Sequence, residues 1–378
     1  MKYLLMIPGP VEIPDDILQA AGAQPVAHYG PEWTDFYLNT ATSVSRLLGT
    51  KGRTFIIPGS GSAGLDAVAT SFCTDKRCLV LNNGQFGGRL YDIVSRHTAD
   101  ADLLKFPLNS PIDTSVLKKR LAKKRYDVVF MTHVETSTGI LNPVEEVSRL
   151  VKENGAIFLL DAISSAGIEK LEMDGWSVDA VITASQKGLE CPPGLALVTV
   201  QEELLKGLKT ASIPSWYTNL GVWCEYYEKW HDWHPYPVTL PTSTIIALAT
   251  SLKIMEKEGI TARQNLYLKV SDRLRKAVLG LGLKPYAPED NHAHGLTAVS
   301  TEGKFDPTNL IKYLREEAGI QIAGSFGEIK SHVFRIGHMS RKQCQTVNLM
   351  SLISSIACFM ASQGIDVSFN MALQKLLS

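Results

Sequence analysis

Residues 178 to 199 read V-D-A-V-I-T-A-S-Q-K-G-L-E-C-P-P-G-L-A-L-V-T. An apolar, β-branched run ends in small polar residues, presents one lysine, Lys187, and breaks at Pro192-Pro193-Gly194 before a second apolar run begins. Such runs predict buried strands, and the prolines and glycine predict the turn between them. The stretch therefore predicts that Lys187 lies in the loop between two buried strands.

An aspartate ends another apolar run, which covers residues 156–160 and stops at Asp161. A lysine beside buried strands either reaches solvent, pairs with an acid or is held for chemistry. Pyridoxal phosphate (PLP) enzymes need this pair, because the lysine forms a Schiff base with the cofactor and the acid partners its pyridine nitrogen. A PLP site is thus the first hypothesis, and the alternatives are a salt-bridged or surface Lys187 and an Asp161 that caps a helix.

The composition is that of a globular chain with no charged macromolecule as its partner. The 378 residues are 45% hydrophobic and 20% charged, which suits one large or two medium domains. Lysine plus arginine and aspartate plus glutamate number 38 each, so the formal net charge is zero. This balance gives no basic field for nucleic acid or an anionic membrane. We expect small molecules or a second copy of the chain as partners.

The sequence also lacks the patterns of export, membrane insertion and metal binding. The short apolar run at 3–7 is too brief for a signal peptide, and no run reaches the roughly 18 residues of a spanning helix. The six cysteines lack C-x-x-C spacing and the nine histidines lack an H-x-x-x-H pattern. We therefore expect a cytoplasmic protein with reduced thiols and no metal.

Strand-like and helix-like segments alternate through the first two hundred residues, which predicts an α/β fold with a mainly parallel sheet covered by helices. The polar loops after such strands gather at one edge of the sheet and form a ligand crevice. After an aromatic, proline-broken segment, longer helical patterns and further strands predict a smaller α+β domain. The predicted divisions are an N-terminal arm at 1–20, a large domain at 21–245 and a small domain at 246–378.

A glycine-serine turn at 59–64 follows a predicted strand and precedes a helical pattern. Amides at a helix N-terminus and the helix dipole favour an anion there. The turn lacks the spacing of a P-loop and of the dinucleotide-binding fingerprint, so on its own it indicates only a general phosphate site.

Several motifs follow one another in the order of a known family. They are P-G-P at 8–10, G-S-G-S-A-G-L-D-A at 59–67, N-G-Q-F-G at 83–87, E-T-S-T-G-I-L-N-P at 135–143, L-L-D-A-I-S-S at 159–165, A-S-Q-K-G-L-E-C-P-P-G at 184–194 and F-R-I-G-H at 334–338. Together they resemble the class V, fold-type I PLP-dependent aminotransferases, most of all the alanine:glyoxylate and serine:glyoxylate branch. The resemblance implies a seven-stranded sheet and ping-pong transfer of an amino group from a small amino acid to a 2-oxo acid such as glyoxylate or pyruvate.

The resemblance also implies roles for residues around the cofactor. Lys187 is the Schiff-base lysine and then the base that moves the substrate proton, and Asp161 holds the ring nitrogen protonated. Phe86 stacks on the ring, and Thr136, or the adjacent Ser137, contacts its O3′ side. The phosphate contacts are Ser60, Gly61, Ser62 and Gln186.

A second set of residues is implied for the substrate and for a neighbouring subunit. Arg335 takes the α-carboxylate, as the planar guanidinium suits a bidentate carboxylate. Tyr236 and Thr239 reproduce a Y-x-x-T spacing that reaches the phosphate from the other subunit, although Leu240 follows where relatives have proline. A homodimer with composite sites follows. Backbone near Gly9 completes the carboxylate pocket, and Tyr29 and Trp216 line the side-chain pocket.

Other functions remain open at this point. A cysteine desulfurase or another lyase shares the fold, but it needs a reactive loop cysteine and usually a stacking histidine, where this chain has Cys344 and Phe86. Pyridoxamine and aminoethylphosphonate are alternative substrates. A protein that binds PLP without catalysis is the alternative that is not an enzyme. The intact Lys187, Asp161 and Arg335 argue against it.

Overall fold

The computed structural model describes residues 3–208, 213 and 215–378. Residues 1 and 2 of the predicted arm lie outside these ranges. Within them, no helix is both long enough and apolar enough to cross a membrane.

The strands fall into one large sheet and smaller groups. In chain order they are β1 (Leu4–Leu5), β2 (Arg53–Pro58), β3 (Cys78–Asn82), β4 (Ala101–Lys105), β5 (Val128–Thr132), β6 (Val134–Glu135), β7 (Ile140–Leu141), β8 (Ile157–Asp161), β9 (Ala180–Ala184), β10 (Leu195–Val200), β11 (Lys284–Pro285), β12 (Leu296–Ser300), β13 (Ile320–Gln321), β14 (Ala323–Gly324) and β15 (Val333–Gly337).

Helices separate most of these strands along the chain. They are α1 (Asp15–Ala21), α2 (Pro31–Leu47), α3 (Gly61–Phe72), α4 (Gln85–Val94), α5 (Thr114–Lys123), α6 (Val144–Glu153), α7 (Glu202–Lys206), α8 (Leu220–Lys229), α9 (Thr242–Glu258), α10 (Ile260–Gly280), α11 (Pro307–Glu317), α12 (Thr346–Ser362) and α13 (Phe369–Leu377).

The large sheet has seven strands in the order β2-β10-β9-β8-β5-β3-β4. Strands β4, β3, β5, β8 and β9 are mutually parallel, and β10 is antiparallel to both of its neighbours. The central strands β5 and β9 are buried at every residue, because helices cover both faces of the sheet. This confirms the predicted α/β class with a mainly parallel seven-stranded sheet.

The direction of the strands brings distant residues to one edge of the sheet. Strands β5 and β8 pair in register so that Thr132 lies opposite Asp161, and both strands end there. Since β2 is antiparallel to β10 and β10 to β9, β2 and β9 also finish at this edge. The loops that follow β2, β5, β8 and β9 therefore meet, as expected for a sheet of this type.

The second half of the chain builds an antiparallel sheet in the order β11-β12-β15-β14. Its core is separate from that of the large sheet, which extends along α9 as far as Met255 and so beyond the predicted division at 245. The predicted arm takes part in both units: β1 pairs with β13, Met6 and Val11 lie in the second core, and Ile17 lies in the first.

Candidate active site

A cavity of about 340 Å³ opens at the edge of the large sheet where the strands end. Nine of the predicted site residues line it: Gly9, Ser60, Gly61, Ser62, Phe86, Thr136, Asp161, Gln186 and Lys187. They come from the arm and from five separate loops, so the fold alone has brought them together.

Lys187 lies in the loop that follows β9, where it is partly buried and lines the cavity. Its Nζ donates a hydrogen bond of 2.6 Å to the carbonyl oxygen of Pro8. Gly9 has a φ of +134°, which favours glycine, and a Cβ added there would also lie 2.6 Å from Cδ of the lysine, so the arm passes close to this side chain. Burial, together with the nearby positive charge of Arg335, lowers the pKa of Lys187 from its ordinary 10.5 to about 8. A neutral, nucleophilic amine is thus accessible near physiological pH.

Asp161, the last residue of β8, is also buried. Burial raises the pKa of its carboxyl from 3.8 to about 7, against the opposing effects of the Ile163 amide and the charge of Lys187. The Ile163 amide donates to Oδ1 at 2.9 Å. The carboxyl is therefore poised for a cationic partner, whose charge would favour its ionised form.

The N-terminus of α3 faces the cavity through Ser60, Gly61 and Ser62. Ser60 occupies the N-cap position, yet its side chain makes no capping hydrogen bond. A Cβ on Gly61 would lie 2.5 Å from Cδ1 of Ile163, so glycine keeps this backbone close to the sheet edge. Uncapped amides and two hydroxyls at the start of a 12-residue helix suit a phosphate.

Two buried polar atoms in the cavity wall have no hydrogen-bond partner: Gln186 Oε1 and Thr132 Oγ1. Buried polar atoms are nearly always satisfied, so both atoms are free to bind a ligand or water in the cavity. The lining thus offers an amine, a carboxyl, a flat aromatic at Phe86 and an uncapped helix N-terminus. These groups fit the aldehyde, ring nitrogen, ring face and phosphate of PLP.

Glu135 holds the loop that carries Phe86. Its Oε2 accepts from the amides of Phe86 and Gly87, each at 3.0 Å, and its Oε1 accepts from the amide and hydroxyl of Ser137. The hydroxyl of Ser137 is thereby engaged outside the cavity, whereas Thr136 lines it. Burial raises the pKa of the Glu135 carboxyl, while these donors oppose the shift.

Arg335 lies on β15 and is 6% exposed. Its Nε donates to the carbonyl of Gly324 at 2.8 Å and its Nη1 to that of Thr136 at 3.0 Å. No ion pair joins it to a carboxylate among the residues that the structure describes. Burial lowers its pKa to about 10, and the charge of Glu135 opposes this shift. Buried guanidinium groups usually have an acidic partner. Arg335 therefore suits an incoming carboxylate.

Five of the predicted residues are not among those that line the cavity in the single chain: Arg335, which bonds the carbonyl of the lining residue Thr136, and Tyr29, Trp216, Tyr236 and Thr239. Tyr29 and Trp216 are each about half exposed, and Tyr29 stacks on Trp233 instead. Tyr236 is buried, accepts a hydrogen bond from Trp33 and donates one to the carbonyl of His28. Thr239 is exposed, and it is the one member of the Y-x-x-T pair whose side chain faces outward.

The structure adds residues that the sequence patterns did not single out. Arg89 and Thr132 line the cavity, and the guanidinium of Arg89 lies 5.0 Å from the ring centroid of Phe86. Glu135 is the first residue of the motif at 135–143, and Thr132 ends the strand before it. Their contacts depend on strand register and on the packing of loops, so their place in or near this motif was the one available signal.

Cys344, the cysteine considered for a desulfurase, is buried, and burial raises the pKa of its thiol well above the ordinary range. A reactive loop cysteine needs the opposite, an accessible thiol with a lowered pKa. In the described residues, no group of three or more histidine, cysteine or acidic side chains could hold a metal ion.

The fold and the cavity define an α/β enzyme with a lysine of lowered pKa in its cavity. Comparison with known families agrees, since residues 17–366 match the family described as Aminotransferase class-V. The chain belongs to that family, and it is an aminotransferase.

Individual relatives cover nearly the whole chain. It is 30% identical to the Soluble hydrogenase, small subunit, of Synechococcus sp. (strain PCC 6716), over 96% of this chain and 94% of the relative. It is 28% identical to Alanine--glyoxylate aminotransferase 1 of Saccharomyces cerevisiae, over 90% of this chain and 92% of that one. Among solved structures, ureidoglycine-glyoxylate aminotransferase from Bacillus subtilis superposes with a TM-score of 0.93 at 26% identity, covering 99% and 97% of the two chains.

Proposed function

We propose that this aminotransferase uses PLP to move an amino group from a small amino acid, such as alanine or serine, to a 2-oxo acid such as glyoxylate or pyruvate. The names of two relatives support the acceptor, since both the yeast and the Bacillus subtilis protein are named for glyoxylate. Because donor and acceptor use one cavity in turn, the kinetics are ping-pong.

The residues that hold the cofactor follow from the cavity. Bound PLP supplies an electron-withdrawing ring that makes the Cα–H bond of an amino acid acidic. Asp161 pairs with the ring nitrogen, and the α3 N-terminus with Ser60 and Ser62 takes the phosphate. The hydroxyl of Thr132 would gain a partner, and Gln186 would donate its side-chain amide to the phosphate. Phe86 packs against the ring face.

Lys187 and Arg335 perform the remaining tasks on the substrate. Arg335 binds the α-carboxylate and fixes the orientation of the amino acid. Neutral Lys187 accepts the proton from Cα and later returns it to the group that becomes the product. A base with a pKa near 8 suits this exchange, because it both takes and releases a proton near neutral pH.

The proposed assembly is a cytoplasmic homodimer with composite sites. The exposed aromatic surface formed by Tyr29, Trp230 and Trp233 supports an interface near the segment that carries Tyr236 and Thr239. Exposed Thr239 is available to a second subunit as the chain stands. Tyr236 could reach a neighbour's phosphate only after giving up its bonds to Trp33 and His28.

The observation that carries this proposal is the buried Arg335, which forms no ion pair among the described residues, together with a lysine whose pKa is lowered. The test is to load the protein with PLP and follow its visible absorbance while alanine, serine or aspartate is added alone. The correct donor converts the absorbance without any acceptor, and glyoxylate, pyruvate or 2-oxoglutarate then restores it. Lys187→Ala is the control, and an unchanged spectrum and activity in that variant would contradict the assignment.

A further inference from the structure

The loop that carries Lys187 is tied to the small domain by a buried carboxylate three residues further on. Glu190 donates its amide to the carbonyl of Lys187 at 2.8 Å, so the two residues close one turn. Its φ of +59° is a conformation that non-glycine residues seldom adopt. Backbone strain of this kind persists only where surrounding contacts impose it.

Those contacts come from two arginines. Glu190 Oε1 accepts from Arg263 Nη2 at 2.7 Å and from the amide of Arg341 at 2.7 Å, and Oε2 accepts from Arg341 Nε at 2.9 Å. Tyr267 adds its hydroxyl at 3.1 Å. The side chains of Glu190 and Arg263 are 1% and 0% exposed. The free energy lost by removing two such charges from water is about as large as the free energy gained from their attraction. A gain in stability alone therefore does not account for this buried pair.

Arg263 also holds the backbone on both sides of the turn. Its Nη2 donates to the carbonyl of Gly188 at 3.0 Å and its Nε to that of Gly167 at 2.9 Å. At Gly188 an added Cβ would lie 2.3 Å from the carbonyl oxygen of Ala166, so the turn is packed against the loop after β8. The residue next to Lys187 thus has little room to move while Arg263 is in place.

The segment 337–343 reaches Lys187 from the opposite side as well. Its Gly337 amide donates to the carbonyl of Met6, and Gln343 Nε2 donates to those of Leu5 and Ile7. These bonds position the arm, whose Pro8 carbonyl receives the lysine ammonium. The same segment follows β15, which carries Arg335.

We propose that Glu190, clamped by Arg263 and Arg341, is a positioning residue that couples the small domain to Lys187. When a substrate carboxylate binds Arg335, any shift of β15 and of segment 337–343 reaches the lysine along two routes, the Glu190 clamp and the Pro8 carbonyl. This inference rests on the proposed function for its catalytic meaning. The mechanical coupling itself belongs to the chain and is testable without cofactor.

The test uses Arg341→Gln, because Glu190 then keeps Arg263 and the buried charge stays compensated. Lys342→Gln is the matched control: it is the next residue, equally exposed, and pairs with Asp15 instead of Glu190. Glu190→Gln is the second variant, and the double variant shows whether the two act as one unit.

Without cofactor, we expect amide hydrogen exchange in the peptide 185–191 to accelerate about tenfold in Arg341→Gln and to stay at the wild-type rate in Lys342→Gln. With PLP bound, we expect the pH midpoint of its visible absorbance to move by at least about half a unit and kcat to fall about tenfold, with a smaller change in KM. The double variant should be no worse than Glu190→Gln.

The proposal is overturned if Arg341→Gln keeps the wild-type exchange rate in 185–191, or if it lowers only the melting temperature while the midpoint and kcat match those of Lys342→Gln. A wild-type protein that develops no absorbance with PLP would refute the proposed function instead, and the exchange experiment would still decide the coupling.

Discussion

Lys187 and Asp161 show how one environment moves two pKa values in opposite directions. Burial disfavours the charged form of both, so it lowers the pKa of the amine to about 8 and raises that of the carboxyl to about 7. At neutral pH each group is within reach of both protonation states. That is the condition under which a site can accept a cofactor that brings its own charges.

For Lys187 we expect the rate of covalent PLP attachment to rise with pH through a midpoint near 8, because the neutral amine is the nucleophile. Stopped-flow absorbance across pH 6 to about 10 measures it. Arg335→Gln removes a neighbouring positive charge, which makes the protonated lysine easier to form, so its midpoint should lie higher than in the wild type. A wild-type midpoint close to the ordinary lysine value would contradict this picture.

For Asp161 the raised pKa predicts a pH-dependent loss of stability in the cofactor-free protein. Between the unfolded pKa of 3.8 and the folded value of about 7, the unfolded chain releases a proton that the folded chain retains. Stability due to this group is therefore complete below the unfolded pKa and is lost as pH rises through 7.

Asp161→Asn removes that dependence. We expect the cofactor-free variant to be more stable than the wild type by about 3 kcal/mol at pH 8, and by less at pH 5. Activity with PLP should nevertheless fall, since asparagine cannot stabilise a protonated ring nitrogen. Denaturant titrations at the two pH values measure the difference, and equal stabilities of variant and wild type at pH 8 would rule out the raised pKa.

At the scale of elements, the loops are organised by groups that do not themselves reach the cavity. Glu135 accepts four hydrogen bonds, two from Ser137 in the loop after β6 and two from the start of α4, so it fixes the position of Phe86. Gly84 leaves room for this carboxylate, because a Cβ there would lie 2.4 Å from its Cγ and Cδ.

Glu135→Gln tests this arrangement, since an amide nitrogen must then face amide donors. We expect a loss of about 2 kcal/mol in the free energy of unfolding and a weaker affinity for PLP. Ser137→Ala, which removes one of the donors, is the control and should cost less in both measurements. Chemical denaturation measures the free energy of unfolding, and a PLP titration measures the affinity. If Glu135→Gln loses stability but binds PLP as tightly as the wild type, Glu135 has no part in placing Phe86.

The sequence predicted the elements whose pattern is local. The run that stops at Asp161 forms β8, because it is continuously apolar and has a clear end. β4 went unrecognised, since its residues are only partly buried at the edge of the sheet. The pairing of β1, in the arm, with β13 more than three hundred residues away was likewise not predicted.

The same division holds for the candidate site. Lys187, Asp161 and Ser60 stand directly after strands or at a glycine turn, where local pattern and motif mark them. Thr132 and Glu190 acquire their surroundings from strand register and from the small domain, which no local window contains. Long-range pairing is therefore what the sequence could not reveal.

For the whole molecule, the two cores meet around the cavity. The loops of the large sheet line the cavity, the arm places its Pro8 carbonyl on Lys187, and Arg335 of the second sheet bonds the carbonyl of the lining residue Thr136. In the proposed function, cofactor binding belongs to one unit and carboxylate binding to the other, so a shift of one unit against the other would change the surroundings of the lysine.

The last prediction concerns the proposed homodimer. Tyr29 and Trp233 stack with centroids 6.0 Å apart and are about half exposed, which is unusual for a pair of large aromatic rings on a monomer surface. Aromatic side chains of this kind commonly anchor the centre of an interface. Trp233→Glu places a charge there, and we expect sedimentation velocity to show a shift from dimer to monomer.

Because the proposed site is composite, the monomeric variant should also lose PLP on dialysis at least about tenfold faster than the wild type. Leu279→Glu is the matched control, since Leu279 is 52% exposed on the small domain and Trp233 is 49% exposed. The control should remain dimeric and retain its cofactor. If Trp233→Glu sediments as the wild type does, this surface is not the interface. If it becomes monomeric yet keeps PLP as tightly, each chain binds the cofactor with its own residues and the site is not shared.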